Sequence, residues 1–255
     1  MRQPAIYPGL AGKTVFITGG GSGIGAAHTA AFAGQKANVA FVDIAEAESR
    51  ALAAKVAAET GNDPLFVPCD IRDISALQSA IERTRSEFGD IAILVNNAAH
   101  DQRHQIEDVT VEFWDDRMAV NLRPMFFTCQ AVLPQMKRLG GGSIVNFGSI
   151  SWMVAHGNFP AYATAKAAVH GLTRTLARDM GPFAIRVNSV SPGWVMTERQ
   201  IKLWLTPEAD AERARVQCLK ARIMPEDVAD MVLFLASDAA AKITAQDFIV
   251  DAGWA

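Results

Sequence analysis

K-T-V-F-I-T-G-G-G-S-G-I-G, Lys13 to Gly25, is the stretch whose reading decides the fold. Lys13 to Thr18 is a short apolar, β-rich run that ends in glycines, the pattern of a strand buried on both faces. From Gly23 to Gln35 the chain is Ala-rich and reads as a helix. Gly19, Gly23 and Gly25 stand in the spacing G-x-x-x-G-x-G. Glycines there let the backbone turn tightly and approach a pyrophosphate, and the helix N-terminus behind them supplies N–H groups and a positive dipole. A glycine-rich turn between strand and helix therefore predicts a nucleotide cradle. Asp43 closes a second apolar run, Asn38 to Asp43, eighteen residues after Gly25. A carboxylate at that point accepts from ribose hydroxyls and repels a 2′-phosphate. No Lys or Arg lies inside the glycine loop or next to Asp43, so the expected cofactor is NAD rather than NADP. The same Asp also suits the cap of the following helix.

Outward from this unit the alternation repeats. Helix is expected over Ala45–Thr60, closed by Gly61, over Ser75–Phe88, and over Pro160–Met180. Val111–Arg138 reads as mostly helical, with Pro124 and Pro134 marking bends or breaks. Glu208–Leu219 and Pro225–Ala236 also read as helices, the second with Pro at N1. Strands are expected at Leu65–Cys69, Ile91–Asn96, Ser143–Phe147, Ile185–Val190 and Phe248–Val250. Strands alternating with helices argue for βαβ units. The expected fold is α/β: one doubly wound Rossmann-type domain over residues 1–255, its seven-stranded, mostly parallel sheet flanked by helices. Residues 1–10 read as an N-terminal extension and residues 198–220 as lid helices over a substrate.

Composition excludes several classes. The chain has 255 residues, half of them hydrophobic and 20% charged, with net charge −3, ordinary for a globular enzyme with a sizeable core. No long Lys/Arg run suggests nucleic acid or an anionic membrane. No apolar run approaches the roughly 20 residues that span a bilayer, and the N-terminus lacks the apolar stretch of a signal peptide. Cys69, Cys129 and Cys218 are scattered, in no metal-ligand spacing, and read as buried free thiols of a cytoplasmic protein. His100 and His104 lack a third ligand nearby, so no metal is expected. Asp115–Asp116 reads as a solvated helix face and Trp114 as core.

Y-A-T-A-K, Tyr162 to Lys166, puts a phenol and an ammonium at i and i+4, on one helix face. A phenol of pKa near ~10 is only about 0.1% ionised at pH 7 and a poor base unless perturbed. An ammonium one turn away favours the phenolate, and Ser149 in N-F-G-S-I-S is in reach to hold a substrate oxygen. Taken alone, Y-x-x-x-K also fits two unrelated surface residues.

With C-D-I (Cys69–Ile71), N-N-A-A (Asn96–Ala99), V-N-L around Asn121, P-G-W-V-M-T (Pro192–Thr197) and V-D-A-G-W added, the chain resembles the short-chain dehydrogenase/reductase family from about Gly9 to its end. The resemblance implies catalytic roles for Ser149, Tyr162, Lys166 and Asn121, the last holding a water on the Lys166 side. It implies a cofactor path along Gly19, Ser22, Gly23, Ile24, Gly25, Asp43, Ile44, Asp70, Ile71, Asn97, Ala98, Pro192, Gly193, Val195 and Thr197, with Tyr162 and Lys166 at the nicotinamide ribose and Asp70 on the adenine amino group. The family's usual N-N-A-G is N-N-A-A here, so Ala99 adds a methyl near the cofactor. S-I-S-W, D-x-R-H, Arg199–Gln200 and the final V-D-A-G-W are similar to bacterial aldose 1-dehydrogenases. That subgroup implies NAD-linked oxidation of an aldose, a D-xylose-like pentose or a hexose, at C1 to the lactone. The sugar is expected against Ser149, Ser151, Trp152, His100, Asn158, Tyr162, Trp194 and Arg199, since sugars present flat apolar faces to aromatics and hydroxyls to polar groups. Polyol or secondary-alcohol oxidation, 3-oxoacyl-thioester reduction, and a silent dinucleotide sensor stay open as alternatives. Family members usually form homotetramers, and the Ala161, Ala165, Ala168, Gly171 face is compatible with close helix contact.

Overall fold

A computed structural model describes residues 5–255. Of the expected N-terminal extension, residues 1–4 lie outside the described residues, and Pro8–Leu10 form a 3-10 turn. Seven strands follow: β1 (Thr14–Thr18), β2 (Asn38–Asp43), β3 (Leu65–Pro68), β4 (Ile91–Asn96), β5 (Gly142–Phe147), β6 (Ile185–Pro192) and β7 (Asp247–Val250). They form one sheet in the order β3-β2-β1-β4-β5-β6-β7, and every pairing is parallel.

The continuous apolar runs are explained by burial on both faces. Along β1, Val15 and Ile17 enter one core cluster with Phe32 of α1 (Gly23–Gly34), Val56 of α2 (Glu46–Thr60) and Val232 of α9 (Pro225–Ala236). Phe16, between them, enters the other, with Leu77 of α3 (Ile74–Phe88), Val132 of α5 (Arg123–Arg138) and Leu176 of α6 (Pro160–Met180). Alternate side chains of a strand point to opposite faces, so helices on both sides leave no solvent face to be polar.

Strand order reverses between β1 and β4, where Thr18 lies beside Asn96. Connections leave in opposite directions there, opening a crevice beyond the strand ends, the place where open α/β sheets bind ligands.

Several boundaries differ from expectation. The helical stretch over 111–138 is two helices, α4 (Val111–Asn121) and α5, because Leu122 leaves helical geometry and Pro124 restarts the turn at its N-terminal end. Pro134 stays inside α5 without ending it. The expected helix Glu208–Leu219 is α8 (Pro207–Val216), preceded by a separate seven-residue helix, α7 (Glu198–Trp204), and both start on a threonine cap, Thr206 and Thr197. Cys218 is exposed rather than buried, and Trp114 is 38% exposed rather than core.

One buried group is costly. His28 on α1 is fully buried, its ring 5.1 Å from that of Phe147, and neither ring nitrogen has a partner. Burial pulls its pKa down to about 3 from 6.5. Below pH 6.5 the unfolded chain therefore takes up a proton that the folded chain refuses until about pH 3, and stability falls over that window. Between pH 6 and 4.5 the wild type is expected to lose about 2 kcal/mol more unfolding free energy than His28→Leu, read from urea titrations at the two pH values. Equal losses would show that His28 is not the acid-sensitive group.

Candidate active site

A cavity of about 930 Å³ runs along the C-terminal ends of the strands, from Asp43 at one end to Trp204 at the other. Its cofactor end is built around missing side chains. A Cβ on Gly25 would collide with the Gly19 carbonyl and with Asn97 Nδ2, and one on Gly19 would lie 2.8 Å from Ala98 Cα. Gly19 also has φ +66° and Gly23 φ +53°, the left-handed region that costs other residues most. Asp43 holds the loop: its Oδ2 accepts from Gly21 N–H at 2.9 Å and its Oδ1 from Ala45 N–H at 3.0 Å. Both oxygens keep acceptor capacity for a ribose diol. Ile44 is 77% exposed on the cavity wall, an apolar surface left for a flat ring. Glycine cradle, carboxylate and apolar wall together fit a dinucleotide.

Of the predicted cofactor residues, Gly19, Ser22, Ile24, Gly25, Asp43, Ile44, Asp70, Ile71, Asn97, Ala98, Pro192, Gly193, Val195 and Thr197 line the cavity; Gly23 does not. Ala99, the departure from the usual motif, lines it too. Asp70 is less free than expected. Arg72 Nε donates to both its oxygens, at 3.1 and 2.9 Å, and Nη2 to Oδ2 at 2.6 Å, which lowers the Asp70 pKa.

The floor lies where the cradle meets the mouth. Ser149, just past β5, caps the turn Ile150–Trp152, and its Oγ accepts from Ser151 N–H at 3.1 Å. Tyr162, in the first turn of α6, lines the cavity beside Ser149, whose hydroxyl favours the phenolate. Lys166 is buried, its Nζ donating to Phe147 O at 2.8 Å and lying 5.7 Å from the Tyr162 ring centre. The expected lowering of the phenol by this ammonium is not the dominant effect. Desolvation pushes the Tyr162 pKa up and pulls Lys166 down to about 7, because burial penalises the charged form of each. Asn121 is buried at the end of α4; its side chain donates to His100 O and Arg117 O and accepts from His100 N–H. Any water it holds is met by its carbonyl. Met125 N–H, which a continuous helix would aim there, goes to Leu122 O at 3.1 Å instead.

At the mouth, His100, Ser151, Trp194 and Arg199 line the cavity, but Trp152 and Asn158 do not. Trp152 turns its indole N–H to His170 Nε2 at 3.2 Å. Asn158 sits at φ +70° in a loop whose carbonyl takes His104 N–H at 2.7 Å. Gln200 and Trp204 line the cavity as well, joined by Arg103, Phe159 and Trp254, which the sequence reading did not single out. Asp116 is not merely solvated, since Arg72 and Arg117 both donate to it. Among the described residues no group of three or more His, Cys, Asp or Glu could hold a metal ion, and no helix is long and apolar enough to cross a membrane.

Fold and site together define a Rossmann-type oxidoreductase. The chain belongs to the short-chain dehydrogenase/reductase family: the family profile described as enoyl-(acyl carrier protein) reductase matches residues 19–255. It is 52% identical over 250 residues to D-xylose 1-dehydrogenase of Caulobacter vibrioides, covering 98% of each chain. It is 51% identical to a probable galactose dehydrogenase of Rhizobium meliloti, covering 97% of this chain and 96% of the other. Among solved structures, a 7α-hydroxysteroid dehydrogenase complexed with NADH and 7-oxo glycochenodeoxycholic acid superposes with a TM-score of 0.91 at 31% identity, over 96% of this chain and 94% of that one.

The cradle makes a direct prediction. Gly25→Ala is expected to weaken NADH binding by about tenfold or more, read by fluorescence titration, because the methyl meets backbone that cannot step aside. Gly34→Ala, where an added Cβ meets nothing within 4 Å, is expected to bind NADH like the wild type.

Proposed function

We propose that the protein oxidises an aldose at C1 to the lactone, using NAD, with Tyr162 as general base. The observation that carries this reading is the half-buried Ser149 and Tyr162 hydroxyls beside the buried Lys166, where the dinucleotide cradle meets the mouth. Ser149 holds the C1 oxygen, Tyr162 takes its proton, and Lys166 supports the phenolate electrostatically while binding the nicotinamide ribose. Phenolate and ammonium formed together relieve the burial penalty that each suffers alone. The proton leaves past Lys166 toward a water on the Asn121 carbonyl. When bound, the dinucleotide supplies the acceptor for the C1 hydride.

Identity above 50% with dehydrogenases named for D-xylose and galactose supports a sugar. The mouth supplies what a sugar needs: indole rings of Trp194 and Trp204 beside Asp101, Arg199 and Gln200. Asp43, with no cationic neighbour inside the glycine loop, favours NAD over NADP. Residues 1–255 act as one catalytic domain in the cytoplasm, in a homotetramer of the family's usual kind, and the 198–220 segment closes over the substrate.

The test is NAD(P)H formation with D-xylose, L-arabinose, D-glucose, D-galactose and simple polyols, together with a 3-oxoacyl thioester in reverse. NAD-linked turnover of an aldose is the expected result; activity confined to polyols or the thioester overturns the aldose assignment. Tyr162→Phe removes one hydroxyl and is expected to cut turnover by about 10²-fold or more while NADH binding survives. Asp43→Ala is expected to raise the NADP/NAD ratio of kcat/KM by about tenfold, and an unchanged ratio would detach Asp43 from cofactor choice.

A further inference from the structure

The mouth is closed by two contacts that run from one loop to one helix. Asp101 and Arg103 lie two residues apart on the loop after β4, and α7 is the helix. At its first turn both Asp101 oxygens are engaged: Arg199 Nη1 donates to Oδ1 and Gln200 Nε2 to Oδ2 at 2.8 Å. Gln200 in turn accepts from Trp194 Nε1 at 3.0 Å. At the last residue of α7 the Arg103 guanidinium lies between two rings, 4.7 Å from Trp204 and 4.8 Å from Phe159. No residue of α7 is buried, so these polar and cation–π contacts, rather than core packing, hold it down.

We propose that Asp101 is a positioning residue that joins closure of α7 to the chemistry: by drawing Arg199 against the catalytic floor, it makes the arriving lid complete the set of charges around the base. This rests on Tyr162 being that base. The charged and polar groups that share this part of the cavity with Tyr162 are Lys166 from α6, His100, Asp101 and Arg103 from the loop after β4, Ser149 from the loop after β5, and Arg199 from α7. His156 lies one ring further off, against Phe159. Asp101 disfavours the phenolate, whereas Arg199 and the Ser149 hydrogen bond favour it. With α7 open, Asp101 stays beside the base without its guanidinium, and proton removal is harder. With α7 shut, Arg199 neutralises Asp101 and stabilises the phenolate directly. The base is thus strongest when the substrate is covered.

The test is a cycle on the full chain with NAD and the aldose found in the panel, following kcat and kcat/KM against pH. Arg199→Met is expected to move the acid limb of kcat upward and lower kcat at pH 7 by about threefold or more, and Arg199→Lys to restore most of it. In an Asp101→Asn background the guanidinium is no longer held, so Arg199→Met is expected to change kcat by less than about 1.5-fold. Deuterium uptake over 198–204 is expected to quicken in Asp101→Asn. An Arg199→Met enzyme altered in KM alone, an equal cost in both backgrounds, or unchanged uptake would each overturn the proposal. Near-normal turnover of Tyr162→Phe would instead remove the base on which it rests, so the two failures are distinguishable.

Discussion

Thr18 and Asn97 hold each other across the point where the sheet reverses, and the geometry of the cleft depends on that grip. Thr18 Oγ1 accepts from the N–H groups of Asn97 and Ala98, each at 3.1 Å. Asn97 Nδ2 donates back to Thr18 O at 3.1 Å and Gly19 O at 2.9 Å. Two loops leaving adjacent strands are thereby fixed at their roots, and only a residue without Cβ fits at Gly25, behind them. The grip continues downward through a polar chain in the core. Asn96 donates to Asn146 at 2.9 Å, Thr128 donates to Asn96 at 2.7 Å, and Asn146 donates to Thr173 at 3.1 Å. Each such bond contributes only about 1 kcal/mol net, but leaving a buried partner unmade costs about 1–3 kcal/mol. The chain of bonds therefore selects one register for β4, β5, α5 and α6, and with it one separation between cradle and catalytic floor.

On that frame the Tyr162–Lys166 pair is uncomfortable. Lys166 is buried with one protein acceptor, Phe147 O, and the half-buried Tyr162 lies beside it. Neither charged form is stable alone, so the proton distribution belongs to the pair and its surroundings rather than to either residue. A site of this kind responds to any charge brought near it. This is why Asp101 and Arg199, which touch neither the cradle nor the sheet, carry weight in the chemistry.

The strand–glycine loop–helix unit and the Tyr162/Lys166 pair were legible in the sequence because each is local. Burial on both faces writes a continuous apolar run, and a helix puts i and i+4 together whatever surrounds it. The mouth was legible only in part. Trp152 turning to His170, Asn158 in a left-handed turn, and Arg103 between Phe159 and Trp204 are set by loops without period, where partners stand 18 to 101 residues away. Pro124 and Pro134 look alike in sequence; only the geometry at Leu122 makes one a helix start and the other an interior residue. Asp116 looked solvated because its partner Arg72 is 44 residues distant.

The same division explains how one floor serves unlike substrates. The steroid dehydrogenase shares this fold at a TM-score of 0.91, while the relatives at 51–52% identity are named for sugars; fold similarity therefore says nothing of what enters the mouth. A cavity of about 930 Å³ that must also admit a dinucleotide leaves room for a compact second ligand. Its outer wall is contributed by α7, the loop after β4 and Trp254 rather than by the sheet. Those segments bury little and can change without disturbing the Thr18–Asn97 grip, so the mouth can vary while the arrangement of Ser149, Tyr162 and Lys166 beneath it stays fixed.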